Sequence, residues 1–150
     1  MSSVIRPANQ HDLDDMVVLL KLLFGIEKDF HFDADRQRRG LALLLDSPFA
    51  VIMVAKEQGS VIGMATGQLV ISTAEGGSSL LVEDVVVQPF HQNQGIGSSL
   101  LQALTDWGTE RGAGRMQLLA DLTNYPALDF YRRKGWRQTQ LICLRKFRDR

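Results

Sequence analysis

The sequence predicts a single α/β domain spanning residues 1–150, with a mixed central β-sheet flanked by helices. Three observations carry that expectation. Apolar periodicity gives the order strand, two helices, three strands, helix, strand, helix, strand, with no linker, repeat or low-complexity segment between them. The second half contains a strand–helix–strand unit, which requires a parallel pair, whereas an early hairpin is antiparallel. Finally, 150 residues with 45% hydrophobic and 23% charged composition are enough for one ordinary core.

Taken in order, Val4-Ile5-Arg6 reads as a first strand ended by Pro7. Asp12 is placed as the N-cap of a helix whose apolar residues Leu13, Met16, Val17, Leu20 and Leu23 recur at helical spacing, with Gly25 closing it. From Glu27 to Asp35, Glu27, Asp29, Asp33 and Asp35 alternate with Phe30, His31 and Phe32. A second helix carries Leu41, Leu43, Leu44 and Leu45 and stops at Pro48. Phe49–Ala55 and Val61–Val70 are apolar strands joined by the turn Lys56–Ser60, where Gly59 supplies a positive φ. After a loop over Thr73–Ser79, Leu80–Val87 is a strongly apolar strand interrupted only by Glu83 and Asp84. Gly95 to about Gly112 is a long helix, Met116–Ala120 a strand and Pro126–Lys134 a short helix. Gly135-Trp136 turns into a final strand ending near Phe147.

Seventeen basic and seventeen acidic residues cancel, so no broad field draws this chain to nucleic acid or an anionic membrane. Arg145, Lys146, Arg148 and Arg150 gather in the tail and read as a solvated strand end. Cys143 is the only cysteine, which rules out an intrachain disulfide and suits a reducing compartment. Its setting, Leu-Ile-Cys-Leu, predicts a buried, inert thiol. Residues Met1–Pro7 lack a hydrophobic leader core and no run of about 18 apolar residues occurs, so a cytoplasmic location is expected. His11, His31 and His91 are scattered without ligand spacing, so no metal is expected; His91 reads as a solvated loop residue.

The most informative stretch is Gln92-Asn93-Gln94-Gly95-Ile96-Gly97, which follows a strand and opens a helix. Glycine lets a ligand approach the backbone, and the unpaired amides and dipole of a helix start favour a phosphate. Such a glycine pair is as often structural as functional. A dinucleotide fingerprint needs a third glycine where Leu100 stands, and a P-loop needs a lysine this loop lacks.

The stretch Gln92–Gly97 resembles the glycine loop of the GNAT acyltransferase superfamily: Gln or Arg, two residues, Gly, one residue, Gly or Ala. A second match is Asn124-Tyr-Pro-Ala127 followed by Phe130-Tyr131-Arg-Arg-Lys-Gly135-Trp136. Together they cover about Leu80–Trp136, and the preceding element order agrees. The resemblance implies splayed parallel strands holding an acyl-CoA, with acetyl-CoA as the acyl donor. It puts the CoA pyrophosphate on Gln92, Asn93, Gln94, Gly95, Ile96, Gly97 and Ser98, with Gln92 in place of the family's frequent arginine. It implies that pantetheine pairs with the strand at Val85, Val86 and Val87, and that Asn124 lies beside the cofactor arm.

Acyl transfer to an amine requires deprotonation of the ammonium, stabilisation of the oxyanion and protonation of the leaving thiolate. The resemblance implies Tyr131 as the acid, a phenol with a pKa of about 10. Glu83 is the candidate base, acting through a water, because a carboxylate in so apolar a strand must face a cleft or a partner. Period-2 alternation sends Glu83 and Asp84 to opposite faces, one toward the acceptor and one toward a structural partner. The Val85 amide is the expected oxyanion donor. Phe30, Phe32 and one or more of Glu27, Asp29 and Asp33 are expected to line a pocket for a cationic amine. The resemblance favours a homodimer and an N-acetyltransferase acting on a small-molecule amine by direct transfer. A protein acetyltransferase and a non-catalytic CoA-binding module are the alternatives.

Overall fold

The computed structural model describes residues 3–27 and 31–148. Two compact units divide it, Met1–Leu118 and Leu119–Arg150. The first unit holds β1 (Val4–Pro7), α1 (Leu13–Ile26), α2 (Ala34–Asp46), β2 (Ala50–Glu57), β3 (Ser60–Ser72), β4 (Gly77–Val87), α3 (Ile96–Glu110) and β5 (Met116–Leu118). The second holds α4 (Tyr125–Arg133). Short 3-10 turns at Gln10–Asp12 and Pro89–His91 precede α1 and follow β4.

The five strands lie in sequence order, β1-β2-β3-β4-β5. The first three pairings are antiparallel, and β4–β5 is parallel, so the sheet is mixed as expected. Gln58 (φ 50) and Gly59 (φ 82) form the two-residue hairpin between β2 and β3, where two positive φ angles match the twist of the flanking strands.

Helices cover both faces of the sheet. On α1, Met16, Leu19, Leu20 and Leu23 are buried against Ile52, Val54, Met64 and Val86. Leu41 of α2 joins that cluster. On the opposite face, α3 lays Ile96, Leu100 and Leu104 over β3, which has glycines where the helix approaches. A Cβ on Gly63 would sit 3.2 Å from Leu100 Cδ1 and 3.3 Å from Ile96 Cγ2. One on Gly67 would sit 3.1 Å from Leu80 Cδ1 and 3.2 Å from Leu104 Cδ2. The absence of side chains at these two positions sets how closely α3 can lie on the sheet.

Three expectations are corrected. Asp12 does not cap α1 with its side chain. The carboxylate is 1% exposed and accepts from Arg6 Nη1 (2.8 Å), Arg6 Nη2 (3.0 Å) and the Asn9 amide (2.9 Å), with Lys56 Nζ at 3.5 Å. Burial alone would push its carboxyl up, but those hydrogen bonds and the two cations outweigh it and hold it at about 2. Asp12 therefore ties β1 and β2 to the start of α1. The second correction is the final strand: the described residues from Gly135 onward contain none. The third follows from it, since Cys143 is exposed rather than buried. An apolar run becomes a strand only when a neighbouring edge accepts its hydrogen bonds.

Candidate functional site

Strand β4 carries the distinctive geometry. Along β3, the pairing Met64↔Val86 is followed by Thr66↔Glu83, so Asp84 and Val85 oppose the single residue Ala65. This two-against-one count is a β-bulge, which leaves the extra residue off the ladder and bends the strand. Asp84 has φ 54, a left-handed conformation that asparagine and aspartate enter more readily than other non-glycine residues. Glu83 is exposed, whereas Asp84 is turned inward, its Oδ2 lying 3.5 Å from the hydroxyl of buried Thr66. That hydroxyl donates to the Glu83 carbonyl at 3.0 Å. Burial pushes the Asp84 carboxyl up to about 7, the negative charges of Glu83 and Glu27 push the same way, and Thr66 opposes them.

Asp84 lines a cavity of about 390 Å³ between α1, α2, β3 and β4. Leu20, Phe24, Leu41 and Leu44 give it apolar walls, while Arg36, Gln37 and Gln68 add polar groups. Apolar walls around a few convergent polar groups are the usual character of a small-molecule site. Asp33, expected in the acceptor pocket, instead caps α2: its Oδ1 accepts from the Arg36 amide at 3.3 Å. Gln37 returns the contact by accepting from the Asp33 amide at 2.6 Å. Phe32 lies under Lys21, whose Nζ is 5.9 Å from the ring centroid. Asp29 and Phe30 lie outside the described residues. Sequence reasoning missed Asp84 and the α2 residues as cavity lining. The only available signal for Asp84 was the acidic pair within an apolar strand, and the bulge that selects between the two acids is not legible there.

Beyond Val82 the edge of β4 opens. Its parallel pairing with β5 covers only Leu80–Val82, so Glu83–Val87 has no β5 partner. Val85, Val86 and Val87 therefore lie on a strand edge able to take an extended ligand. The bulge also takes the Val85 amide out of the β3 register.

The strand leads through Pro89–His91 into the glycine loop, where Asn93 (φ 63) and Gly95 (φ 80) both occupy the left-handed region. No side chain caps α3, and its first turn carries no acid. Ser99 N bonds to the Gly95 carbonyl at 3.0 Å, and the amides of Ile96, Gly97 and Ser98 precede that first bond of the helix. A 15-residue helix with an uncapped N-terminus presents a concentrated partial positive charge. A Cβ on Gly95 would meet nothing within 4 Å, so the approach is open. Ile96 points into the core at 5% exposure, leaving only its amide for a ligand. Gln92 turns back, donating from Nε2 to the Val87 carbonyl at 3.1 Å, and braces the loop. His91 is half-buried, and its Nδ1 has no hydrogen-bond partner among the described residues. It is not the solvated residue expected from sequence.

The second unit carries Asn124 and Tyr131. Asn124 Oδ1 accepts from the Ala127 amide at 3.3 Å and caps α4, with Pro126 in the first turn. Tyr131 packs edge-on to Phe130 (5.3 Å between centroids) and Trp136 (5.8 Å). The Tyr131 carbonyl accepts from the Trp136 amide at 3.0 Å, past Gly135 at φ 91. Thus Glu83, Asp84, Val85–Val87 and residues 92–98 share the first unit, and Asn124 and Tyr131 share the second.

Residues 16–136 match the acetyltransferase (GNAT) family. The streptothricin acetyltransferase of Streptomyces lavendulae is 36% identical over 74 residues, 49% of this chain and 39% of that protein. The chain therefore spans well under half the length of that relative. The aminoalkylphosphonate N-acetyltransferase of Salmonella typhimurium is 27% identical over 135 residues, covering 90% of this chain and 85% of the relative. Among solved structures, aminoglycoside N-acetyltransferase AAC(6')-Iy in complex with CoA superposes with a TM-score of 0.85 at 19% identity. That superposition covers 98% of this chain and 95% of the neighbour, and shows a shared fold.

Proposed function

The chain belongs to the acetyltransferase (GNAT) family, and on that premise we propose that it moves an acetyl group from acetyl-CoA to a primary amine of a small molecule. The uncapped start of α3 beside an unpaired β4 edge carries this reading. The amides of Gly95–Ser98 hold the pyrophosphate, and the backbone of Val85–Val87 pairs with the pantetheine arm. These groups fit an extended, anionic co-substrate because, among the described residues, β5 does not pair with Glu83–Val87 and no side chain caps α3. No metal takes part in the proposed reaction.

Transfer is direct, within a ternary complex. The amine nitrogen bonds to the thioester carbonyl carbon as the carbon–sulfur bond breaks. The Val85 amide donates to the carbonyl oxygen as it gains charge, and Tyr131 donates its phenolic proton to the leaving sulfur. Glu83, exposed on the bulged strand, takes the amine's proton through a water. Asp84 holds the arriving ammonium within the cavity; pairing with a cation favours its ionised form, so amine binding releases its proton. The volume of about 390 Å³ and the apolar walls suit an acceptor of small size. Two relatives are named for streptothricin and for aminoalkylphosphonate, which agrees with an amine of small size. The protein works as a homodimer in the cytoplasm. Among the described residues no helix is long and apolar enough to cross a membrane.

Thiol release from acetyl-CoA, followed across a panel of small amines and of lysine peptides, tests the reading. Turnover confined to small amines supports it. Turnover on peptides alone contradicts the acceptor class, and CoA binding without turnover on either contradicts catalysis.

A further inference from the structure

The cavity lined by Asp84 carries charge of both signs. Arg36 lines it from the first turn of α2, where a cation opposes the helix dipole. Arg38, on the same helix, is paired, its Nη2 lying 2.6 Å from Asp14 Oδ1. The Arg36 guanidinium has no ion pair or hydrogen bond among the described residues. Gln37 adds a second donor. A backbone N–H can only donate, so the 2.6 Å contact with the Asp33 amide turns Oε1 to that side and leaves Nε2 as the uncommitted end. Arg36 is exposed, whereas Asp84 is half-buried against Thr66, which is 1% exposed. The donors therefore stand toward solvent and the carboxylate lies deeper. Leu20 and Leu41, 3% and 2% exposed, belong to the apolar remainder of the lining.

We propose that the acceptor is a zwitterion: its ammonium goes to Asp84, and its carboxylate or phosphonate goes to Arg36 and Gln37, with a short hydrocarbon segment between. This rests on the small-amine reading above and narrows it to a substrate class. A plain alkylamine would pair with Asp84 and leave Arg36 unpaired. A diamine would bring a second cation beside Arg36, at a cost in a partly dry cavity. A zwitterion leaves both ends paired, and its hydrocarbon segment meets the apolar lining. The planar guanidinium suits an anion with two or more oxygens, which carboxylate and phosphonate share. The placement also sets the direction of binding. Asp84 adjoins Val85 on β4, so the amine end is presented to the thioester while α2 holds the far end.

Thiol release from acetyl-CoA is measured with β-alanine, 2-aminoethylphosphonate, β-alaninamide, propylamine and 1,3-diaminopropane, and with the homologues one carbon shorter and longer. The expected result is a kcat/KM at least ~10-fold higher for an anionic acceptor than for the neutral one of the same length. Whether carboxylate or phosphonate leads tells which anion the site takes. Arg36→Gln should raise KM for the anionic acceptor with little change in kcat, bringing the ratio between matched acceptors to within ~2-fold. Arg36→Glu should invert the order and favour the diamine, which loss of a merely structural contact would not do. Circular dichroism checks that both variants fold; if one does not, the matched ratio of the unaltered chain decides. Equal turnover of matched acceptors, or a preference that survives Arg36→Gln, overturns the zwitterion and leaves small-amine acetylation standing. Turnover on no small amine overturns both.

Discussion

At the scale of single residues, Asp84 concentrates the unusual chemistry. Its carboxyl is pushed up to about 7 by burial and by the charges of Glu83 and Glu27. The unfolded chain releases this proton near pH 4 and the folded chain retains it to about 7, so the unfolded state binds fewer protons between them. Stability should therefore fall as pH rises across that window and level off above it. Asp84→Asn removes the penalty. Chemical denaturation should show the variant more stable than the parent at pH 8, by up to a few kcal/mol, and equal to it near pH 3.5. Its KM for the amine should rise ~10- to 100-fold, since a neutral amide cannot pair with an ammonium. Tyr131→Phe should lower kcat ~10²-fold or more at neutral pH while leaving acetyl-CoA affinity nearly unchanged, measured by thiol release and calorimetry. Residue types and spacings brought Tyr131, Asn124 and Glu83 forward as candidates in the sequence. The inward turn of Asp84 was not, because it depends on a register shift against Ala65 that period-2 reasoning cannot see. The same limit misassigned Asp12, where a residue suited to capping is claimed by Arg6 and Lys56 from two strands.

At the scale of elements, α3 is the one α-helix among the described residues with neither a side-chain cap nor an acid at its start. Its start lacks the acid and the cap that most helices carry. Ser98→Asp should raise stability by about 0.3–1 kcal/mol through the helix dipole and at the same time weaken acetyl-CoA binding ~10-fold or more. Opposite signs from one substitution distinguish a ligand site from a merely uncapped helix, and thermal denaturation with calorimetry reads both. The helix is seated by two glycines on β3. Gly63→Val should cost about 1–3 kcal/mol by forcing Leu100 and Ile96 away, visible as a lower melting temperature. Most elements were legible because each buries a stripe or face whose period is local. The final strand was not, because its apolar residues predict an extended chain without specifying an edge to receive it.

At the scale of the whole molecule, the sequence already indicated the α/β class, the mixed sheet and the absence of a broad charge. Family membership over residues 16–136 agrees with the fold class, and the strand pairings with the mixed sheet. The acceptor remained illegible for a physical reason: the cavity that would hold it is assembled from α1, α2, β3 and β4, and no local motif encodes its lining. The glycine loop and the β4 edge, by contrast, are contiguous in sequence and could be read directly. The central claim is that these two contiguous features bind acetyl-CoA. Calorimetric titration of the folded chain with acetyl-CoA tests it most directly. Saturable binding at one site per chain, weakened by added salt as a helix-held pyrophosphate requires, is the predicted result. No heat with acetyl-CoA or any other short acyl-CoA would contradict it.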